Sequence, residues 1–360
     1  MPPATHRRLF IPGPTEVDPG TLEQMARPMI GHRGAEFTEL YRKVAAKLAR
    51  LLSTERPVFL ATGSATMVME AALANCVERR CLHLACGAFG ERWHEIALSR
   101  GLEADIVSVD WGQANDAGSV DRALSTGRYD AVAVVYSETS TGVLSPVPQI
   151  ARLVREKYPD VLVLVDAVSA MGAIDIPLDA LGLDVVLAGI QKAFACPPGL
   201  VVFAASERAM ARSRRLRNKG YYLDFVSYEK AHAEGQTITT PAISQFFALD
   251  HSLDLLFAEG LPAVYDRHAR MSRLSREWAA RRGLTLFPDP RHVTPTLTCL
   301  RSGAIDLDRL HAHMRSKGIV LGKGYGKAKS STFRIAHMGR IQPADVEEVL
   351  AYIDEYLEAR

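Results

Sequence analysis

Between about residues 57 and 205, short apolar runs alternate with longer segments of mixed polarity. The runs are rich in β-branched residues and apolar along their length, which is typical of strands that are buried on both faces. The segments between them, such as SATMVMEAALANCV, have the length and spacing of helices. This alternation predicts an α/β domain in which a mostly parallel sheet lies between helices. The predicted strands are PVFLAT, CLHLAC, ADIVSV, DAVAVVYS, VLVLVDAV, DVVLAG and LVVFAA.

The pattern changes after residue 206, where charged helical segments replace the apolar runs. We expect helices in SERAMARSRRLRNK, LDHSLDLLFAEG and LPAVYDRHARMSRLSREWAARR, followed by the strands TPTLTCLR and STFRIAHM and a last helix in PADVEEVLAYIDEYL. These elements predict a smaller α+β domain at the C-terminal end. The predicted organisation is an N-terminal arm (1–17), a large domain (18–256) and a small domain (257–360).

Charge and composition exclude several classes of protein. Lys and Arg number 43 against 41 Asp and Glu, and a net charge of +2 gives no reason to expect nucleic acid or an anionic membrane as a partner. No apolar run approaches the roughly 18 residues of a membrane span, and the start, MPPATHRRLFIPGPTEV, lacks the apolar core of a secretory signal. The five cysteines form no CxxC pair and no metal-ligand spacing. We therefore expect a cytoplasmic protein without a metal site.

Polar side chains that follow buried strands are the first candidates for function, because ligands of open α/β sheets bind beyond the carboxyl ends of the strands. In ATGSATMVMEAAL, a strand and a glycine turn lead into a helix that begins with Ser64 and Thr66. Free backbone N–H groups and hydroxyls at a helix start can hold a phosphate group. The motif is neither GxGxxG nor GxxxxGK[ST], and Ser64 is alternatively a plain N-cap.

Three charged residues occupy apolar surroundings further along the chain. Asp166 ends VLVLVD, Lys192 follows DVVLAGIQ and Arg334 lies within STFRIAHM. Burial of such charges is costly without a partner. Each also has an ordinary alternative. Asp166 can be a turn residue, Lys192 can point to solvent, and Arg334 can form a structural salt bridge.

Phosphate cradle, buried Asp, buried Lys and buried Arg together describe a site for pyridoxal 5′-phosphate and an amino acid. A desolvated lysine amine is suited to form a Schiff base, a carboxylate can pair with the pyridine nitrogen, and a guanidinium can bind the substrate carboxylate.

Eight stretches of the chain carry a resemblance to a known family. They are FIPGPTEV, ATGSATMVMEAAL, CGAFGERW, YSETSTGVLSP, VLVLVDAVSAMGA, AGIQKAFACPPGL, TITTPAISQ and TFRIAHMG. Together they resemble the class V aminotransferases of fold type I, most closely the alanine:glyoxylate and serine:glyoxylate or serine:pyruvate enzymes. The likeness spans nearly the whole chain.

The resemblance implies a role for each matching residue. Lys192 would form the Schiff base and act as general base and acid, and Asp166 would bond the pyridine nitrogen. Phe89 and Val168 would cover the two faces of the ring, and Thr139 would lie at its oxygen side. The phosphate would be held by Ser64, Ala65, Thr66 and Gln191, and by Gln236 and Thr239 of the neighbouring subunit of a homodimer whose active sites lie at the subunit interface. The expected substrate-binding residues are Arg334, Gly13 and Arg33.

The expected reaction is a ping-pong transfer of an amino group between a small amino acid, alanine or serine, and a 2-oxo acid, glyoxylate or pyruvate. A phosphoserine aminotransferase is the alternative, because His32 and Arg33 match an HR pair that contacts the substrate phosphate in those enzymes. Lys323 and Lys327, in the glycine-rich GKGYGKAK, could serve a second anionic group.

A carbon–sulfur lyase of the cysteine desulfurase kind is an alternative from another reaction class. Such enzymes usually have a histidine on the cofactor ring, a histidine before the lysine and a mobile nucleophilic cysteine. The first two positions here are Phe89 and Gln191, and we expect Cys196 and Cys299 to be packing residues.

Overall fold

The computed structural model describes residues 6–359, so residues 1–5 of the predicted N-terminal arm and Arg360 lie outside the described residues. The strands are β1 (Arg8–Phe10), β2 (Val58–Thr62), β3 (Arg80–Ala85), β4 (Glu103–Ser108), β5 (Ala131–Val135), β6 (Ser137–Glu138), β7 (Val143–Leu144), β8 (Leu162–Asp166), β9 (Val185–Gly189), β10 (Leu200–Ala205), β11 (Leu297–Arg301), β12 (Ile319–Lys323) and β13 (Thr332–Ala336).

The α-helices connect and cover these strands. They are α1 (Pro19–Met25), α2 (Ala35–Leu51), α3 (Ala65–Cys76), α4 (Ala88–Ser99), α5 (Ala117–Leu124), α6 (Val147–Lys157), α7 (Leu178–Leu181), α8 (Glu207–Arg215), α9 (Phe225–Ala233), α10 (Ile243–Glu259), α11 (Leu261–Arg281), α12 (Leu307–Ser316) and α13 (Pro343–Glu358). Two short 3-10 helices span Pro290–His292 and Gly326–Ala328.

The main sheet has seven strands in the order β2-β10-β9-β8-β5-β3-β4. Strand β10 is antiparallel to both of its neighbours, and the other pairs are parallel. This confirms the predicted α/β fold with a mostly parallel sheet. Because β10 lies between them, β2 runs in the same direction as β9, and the carboxyl ends of β2, β3, β5, β8 and β9 therefore meet at one edge of the sheet.

Both faces of this sheet are buried, which explains why its strands are apolar along their length. Side chains alternate between the faces, so Leu60 belongs to the core on one side while its neighbour Phe59 belongs to the core on the other. Full burial of a side chain of this size stabilises the fold by roughly 1.5–3 kcal/mol.

Two helices differ from their predicted bounds. The helix predicted over 206–219 ends at Arg215, where the ammonium of Lys219 donates a hydrogen bond of 2.8 Å to the carbonyl of Ser213. A lysine that satisfies a terminal carbonyl favours this end point. The helix predicted over 249–260 begins six residues earlier, at Ile243, because that residue and Phe246 pack into the main core.

A second sheet has the order β1-β12-β13-β11 and a core of its own. Strands β11 and β13 match the prediction, whereas β12, β1 and helix α12 were not predicted. Strand β1 pairs in parallel with β12, and Phe10 packs in the same core as Trp278 and Phe333. The N-terminal segment thus supplies a strand to the second sheet, and the predicted boundaries between arm, large and small domain stay predictions.

None of the helices formed by residues 6–359 has the length and apolar character needed to cross a membrane.

Candidate active site

A cavity lies at the edge where the carboxyl ends of the parallel strands meet. The residues that line it come from loops and helices that follow β2, β3, β5, β8 and β9, as expected for an open α/β sheet. Its lining includes the predicted cofactor-binding residues Ser64, Ala65, Thr66, Phe89, Asp166, Val168, Gln191 and Lys192.

One end of the cavity is formed by the start of helix α3. Ser64 occupies the N-cap position with extended backbone angles (φ −103°, ψ 158°), but its hydroxyl makes no capping hydrogen bond. The serine is therefore not used as an ordinary side-chain cap. Its hydroxyl and the positive end of the helix dipole both face a space suited to an anion.

Asp166 is the last residue of β8 and is buried, with 5% of its surface exposed. Its Oδ1 atom accepts a hydrogen bond of 2.8 Å from the backbone N–H of Val168. Burial raises the pKa of Asp166 to about 7, while the nearby charges of Lys192 and Arg92 act in the opposite direction. Asp166 forms no salt bridge among the described residues, so the cavity contains a buried carboxyl group without a directly bonded cation.

Lys192 follows β9, three residues after Gly189, and its side chain enters the cavity. Its ammonium donates a hydrogen bond to the carbonyl oxygen of Pro12. Burial lowers the pKa of Lys192 to about 8; the charge of Arg334 acts in the same direction and that of Asp166 opposes it. A lysine with a lowered pKa has a larger neutral fraction and is a better nucleophile and base.

Glu138, which was not predicted, determines where Phe89 lies. The Glu138 side chain is fully buried and accepts hydrogen bonds from the backbone N–H groups of Phe89 (3.0 Å) and Gly90 (3.1 Å), in the first turn of α4. Its second oxygen accepts from the Ser140 hydroxyl at 2.6 Å. A glycine is required at position 87, since a Cβ atom there would lie 2.4 Å from Ser140 Oγ and 2.5 Å from Glu138 Cγ.

Arg334 lies on β13 at the junction of the two sheets. Its Nη1 donates a hydrogen bond of 2.8 Å to the carbonyl oxygen of Thr139, and its Nε donates one of 2.7 Å to the carbonyl of Lys323. Neither acceptor is a carboxylate, and no ion pair of Arg334 occurs among residues 6–359. The guanidinium is buried but retains unused donors, as a binding site for a carboxylate requires. Thr139 itself is buried and does not line the cavity, so its predicted contact with the cofactor stays a prediction.

The structure does not bring Gln236, Thr239 or Arg33 into the cavity of their own chain. The Gln236 amide donates to the Thr38 hydroxyl at 2.8 Å, and Arg33 donates to the carbonyl of Thr237 at 2.9 Å and to Gln236 at 3.3 Å. Their predicted contacts with cofactor or substrate stay predictions.

The other candidate anion-binding residues also lie outside the cavity lining. Lys327 pairs with Glu91 at 2.6 Å, and the side chain of Lys323 is exposed. His32 is half-buried beside Arg33. No second cluster of free cations faces the cavity from these positions.

Five further residues line the cavity but were not predicted: Met69, Arg92, Val135, Ser137 and Ser169. Arg92 lies three residues after Phe89 on α4, so helical spacing could have placed it on the same face. Its guanidinium carbon lies 5.0 Å from the centre of the Phe89 ring. No comparable signal marked the other four residues.

Cys196 and Cys299 are buried, as expected of packing residues, and burial raises the pKa of each thiol to about 12. A buried thiol with a raised pKa is a poor nucleophile. Neither cysteine lines the cavity.

The chain is similar to known proteins both in sequence and in fold. The model of the family described as Aminotransferase class-V matches residues 21–342. A soluble hydrogenase 42 kDa subunit of Anabaena cylindrica is 33% identical over 97% of this chain and 92% of its own length. An uncharacterised aminotransferase of Methanocaldococcus jannaschii is 34% identical, over 98% and 92%. A serine–glyoxylate aminotransferase of Methylorubrum extorquens is 30% identical, over 92% and 86%.

Solved structures share the complete fold. An aspartate aminotransferase of subgroup IV from Thermus thermophilus superposes with a TM-score of 0.90 and 32% identity over 98% of this chain and 99% of its own. An alanine–glyoxylate aminotransferase from Nostoc sp. superposes with a TM-score of 0.93 and 29% identity over 99% and 97%.

Proposed function

Because this chain belongs to the class V aminotransferases and is an aminotransferase, we propose that it transfers the amino group of alanine or serine to glyoxylate or pyruvate with pyridoxal 5′-phosphate as cofactor. The observation that carries this proposal is the pairing of one buried lysine and one buried aspartate in a cavity that also contains a helix N-terminus.

The residues of the cavity fit this cofactor. Asp166 is buried and forms no salt bridge among the described residues, and a protonated pyridine nitrogen would supply a directly bonded cation. The phosphate group would be held by Ser64, whose hydroxyl makes no capping hydrogen bond, together with Ala65, Thr66 and Gln191. Phe89 and Val168 would cover the two faces of the ring.

Pyridoxal 5′-phosphate, when bound, supplies a carbonyl that reacts with amines and a ring that takes up an electron pair. Lys192 would bind it covalently and then take up the proton that leaves the substrate Cα, and its lowered pKa suits both tasks. Asp166 would keep the ring nitrogen protonated, and Arg334 would bind and orient the substrate carboxylate.

We propose substrates with a single acidic group, whose carboxylate Arg334 would bind with its unused donors. Arg92 lines the cavity and donates a hydrogen bond to Tyr325, so it is the candidate for binding a second acidic group. Arg33 and Lys327 are engaged elsewhere within the described part of the chain, which does not favour a phosphorylated substrate. The burial of Cys196 and Cys299 likewise does not favour a carbon–sulfur lyase.

A homodimer with the active sites at the subunit interface is part of the proposal. Ser64 and Thr66 are exposed in the single chain, so the phosphate end of the cavity is open. Gln236 and Thr239 of a second subunit would close it. A cytoplasmic location is proposed on the composition alone.

The test is a survey of substrates with the purified protein. Alanine, serine, aspartate and phosphoserine would each be paired with glyoxylate, pyruvate and 2-oxoglutarate. We expect the highest kcat/KM with alanine or serine and glyoxylate or pyruvate. Strict dependence on phosphoserine would overturn the proposal. A preference for aspartate would also overturn it, and would indicate that Arg92 binds the side-chain carboxylate of the substrate. Sulfide release from cysteine without an oxo acid would revive the lyase.

A further inference from the structure

Tyr325 lies on the loop 324–331, which connects β12 to β13 in the second sheet. It contacts three residues at the candidate active site, although it does not itself line the cavity. The glycine-rich stretch GKGYGKAK contains it, but only Lys323 and Lys327 of that stretch were given a predicted role. The contacts are to Phe89, Arg92 and Arg334.

The first contact is a stack of two aromatic rings. The ring centres of Tyr325 and Phe89 lie 5.6 Å apart, and the planes are inclined by 18°. These values are typical of an offset stack. Because Phe89 lines the cavity, this stack limits the tilt of the side chain expected to cover the cofactor ring.

The second contact is a hydrogen bond to a charged donor. The Nη2 atom of Arg92 donates a hydrogen bond of 2.8 Å to the Tyr325 hydroxyl oxygen. Arg92 and Phe89 are three residues apart on α4 and therefore lie on the same side of that helix. Tyr325 thus contacts one turn of α4 at two points, through its ring and through its hydroxyl.

The third contact connects Tyr325 to the arginine expected to bind the substrate carboxylate. The Arg334 guanidinium carbon lies 5.7 Å from the centre of the Tyr325 ring. Arg334 also donates its Nε hydrogen bond to the carbonyl of Lys323, two residues before Tyr325. The position of the loop and the position of Arg334 are therefore coupled.

We propose that Tyr325 is a positioning residue that fixes the Phe89 ring and Arg334 relative to each other, so that the two sides of the substrate site keep one geometry. The proposal rests on the proposed function, because it assigns the cofactor ring to Phe89 and the carboxylate to Arg334. Tyr325 lies on a loop between two strands of the second sheet, whereas the residues expected to hold the cofactor follow strands of the main sheet.

A second attachment holds the loop in place when Tyr325 is changed. Lys327 pairs with Glu91 at 2.6 Å and lies 5.4 Å from the centre of the Trp111 ring, and Trp111 donates a hydrogen bond of 3.0 Å to the same Glu91 oxygen. Substitution of Tyr325 should therefore remove side-chain contacts without releasing the loop.

The experiment compares Tyr325→Leu and Tyr325→Phe with the wild-type holoenzyme. Leu removes the ring and the hydroxyl, whereas Phe keeps the ring and removes only the hydroxyl. The control is Tyr221→Leu, which changes a tyrosine that is 79% exposed. The readouts are the visible circular dichroism of bound pyridoxal 5′-phosphate, its dissociation constant, and KM and kcat for the preferred amino donor.

We expect Tyr325→Leu to change the dichroism of the bound cofactor, to weaken cofactor binding by about 2- to 10-fold, as the loss of one aromatic pair implies, and to raise KM for the donor more than it lowers kcat. Tyr325→Phe should restore the dichroism and the cofactor affinity to within about twofold of wild type. The control should match wild type throughout.

Two results would overturn the inference while leaving the proposed function intact. One is a Tyr325→Leu enzyme with unchanged dichroism, cofactor affinity and KM. The other is a Tyr325→Leu enzyme that loses thermal stability but whose folded molecules keep the wild-type dichroism, cofactor affinity and KM. A wild-type protein that binds no pyridoxal 5′-phosphate would overturn the proposed function and this inference together. That result can be obtained without any substrate.

Discussion

The carboxylate of Glu138 accepts a hydrogen bond of 3.0 Å from the backbone N–H of Phe89. The contact joins a buried side chain after β5 to the first turn of α4, two segments 49 residues apart. It makes the position of the ring that lines the cavity depend on a residue that does not line the cavity itself.

Glu138→Ala should destabilise the protein and weaken cofactor binding. The substitution leaves the N–H groups of Phe89 and Gly90 without their acceptor in a buried environment, at a cost of about 1–3 kcal/mol for each unsatisfied group. Urea unfolding of the cofactor-free protein measures the loss. Glu138→Gln keeps one acceptor oxygen and should retain more of the stability; equal losses in the two variants would contradict this explanation.

Lys192→Ala should abolish the visible absorbance of the covalently bound cofactor and reduce turnover by roughly 10²–10⁴-fold or more, since it removes both the amine that binds the cofactor and the general base. Absorbance spectra and steady-state assays check this. The exposed Lys157→Ala serves as control and should behave as wild type. Normal turnover in Lys192→Ala would remove the central assignment.

Asp166 should make the stability of the cofactor-free protein depend on pH. Its pKa is about 7 in the folded protein, against about 3.9 in an unfolded chain. Between these values the folded state binds more protons than the unfolded state, so the free energy of unfolding falls as pH rises from about 4 to about 7, by on the order of a few kcal/mol.

Urea titrations at pH 5 and pH 7.5 measure this fall. Asp166→Asn removes the titrating carboxyl and should show a smaller decrease between the two pH values. Lys192 has the opposite effect at higher pH, because its pKa is lowered to about 8 in the folded protein against about 10.4 in an unfolded chain. The free energy of unfolding therefore rises between these two pH values. An identical pH profile in wild type and Asp166→Asn would rule out Asp166 as the source.

Arg334→Gln should raise KM for both the amino acid and the oxo acid by roughly 10- to 100-fold, because a charge-assisted bond to each carboxylate is lost. Arg33→Gln should change KM little when the substrate has one acidic group. A large effect of Arg33→Gln with phosphoserine alone would instead support the phosphoserine alternative.

Gly13→Ala should impair both stability and activity. Gly13 has φ of +120°, and a Cβ atom there would lie 2.7 Å from the Cδ and Nζ atoms of Lys192. Alanine is strained at this φ and displaces the lysine that the reaction needs. Gly31→Ala is the matched control, since no atom lies within 4 Å of its added Cβ. Unfolding curves and kcat are the measurements, and equal behaviour of the two variants would refute the prediction.

The main sheet could be predicted because its strands are buried on both faces and must be apolar along their length. Strand β12, with the sequence IVLGK, is short and contains a glycine, and β1 has three residues. Neither carries a pattern of its own. Strand β1 forms because it pairs with β12, and β12 because it also pairs with β13. The N-terminal segment therefore joined the second sheet without a local signal.

The sequence by itself determined the family and pointed to the residues that we propose carry the chemistry, because an ionisable residue after a buried strand is costly and stands out against its apolar neighbours. Tertiary structure alone decided which polar groups support them. Glu138 and Tyr325 look ordinary in the sequence, and their roles arise from contacts with α4 over 49 and more than 230 residues. Hydrogen bonds and ring stacks form between residues that are close in space, and the order of residues along the chain does not give those distances.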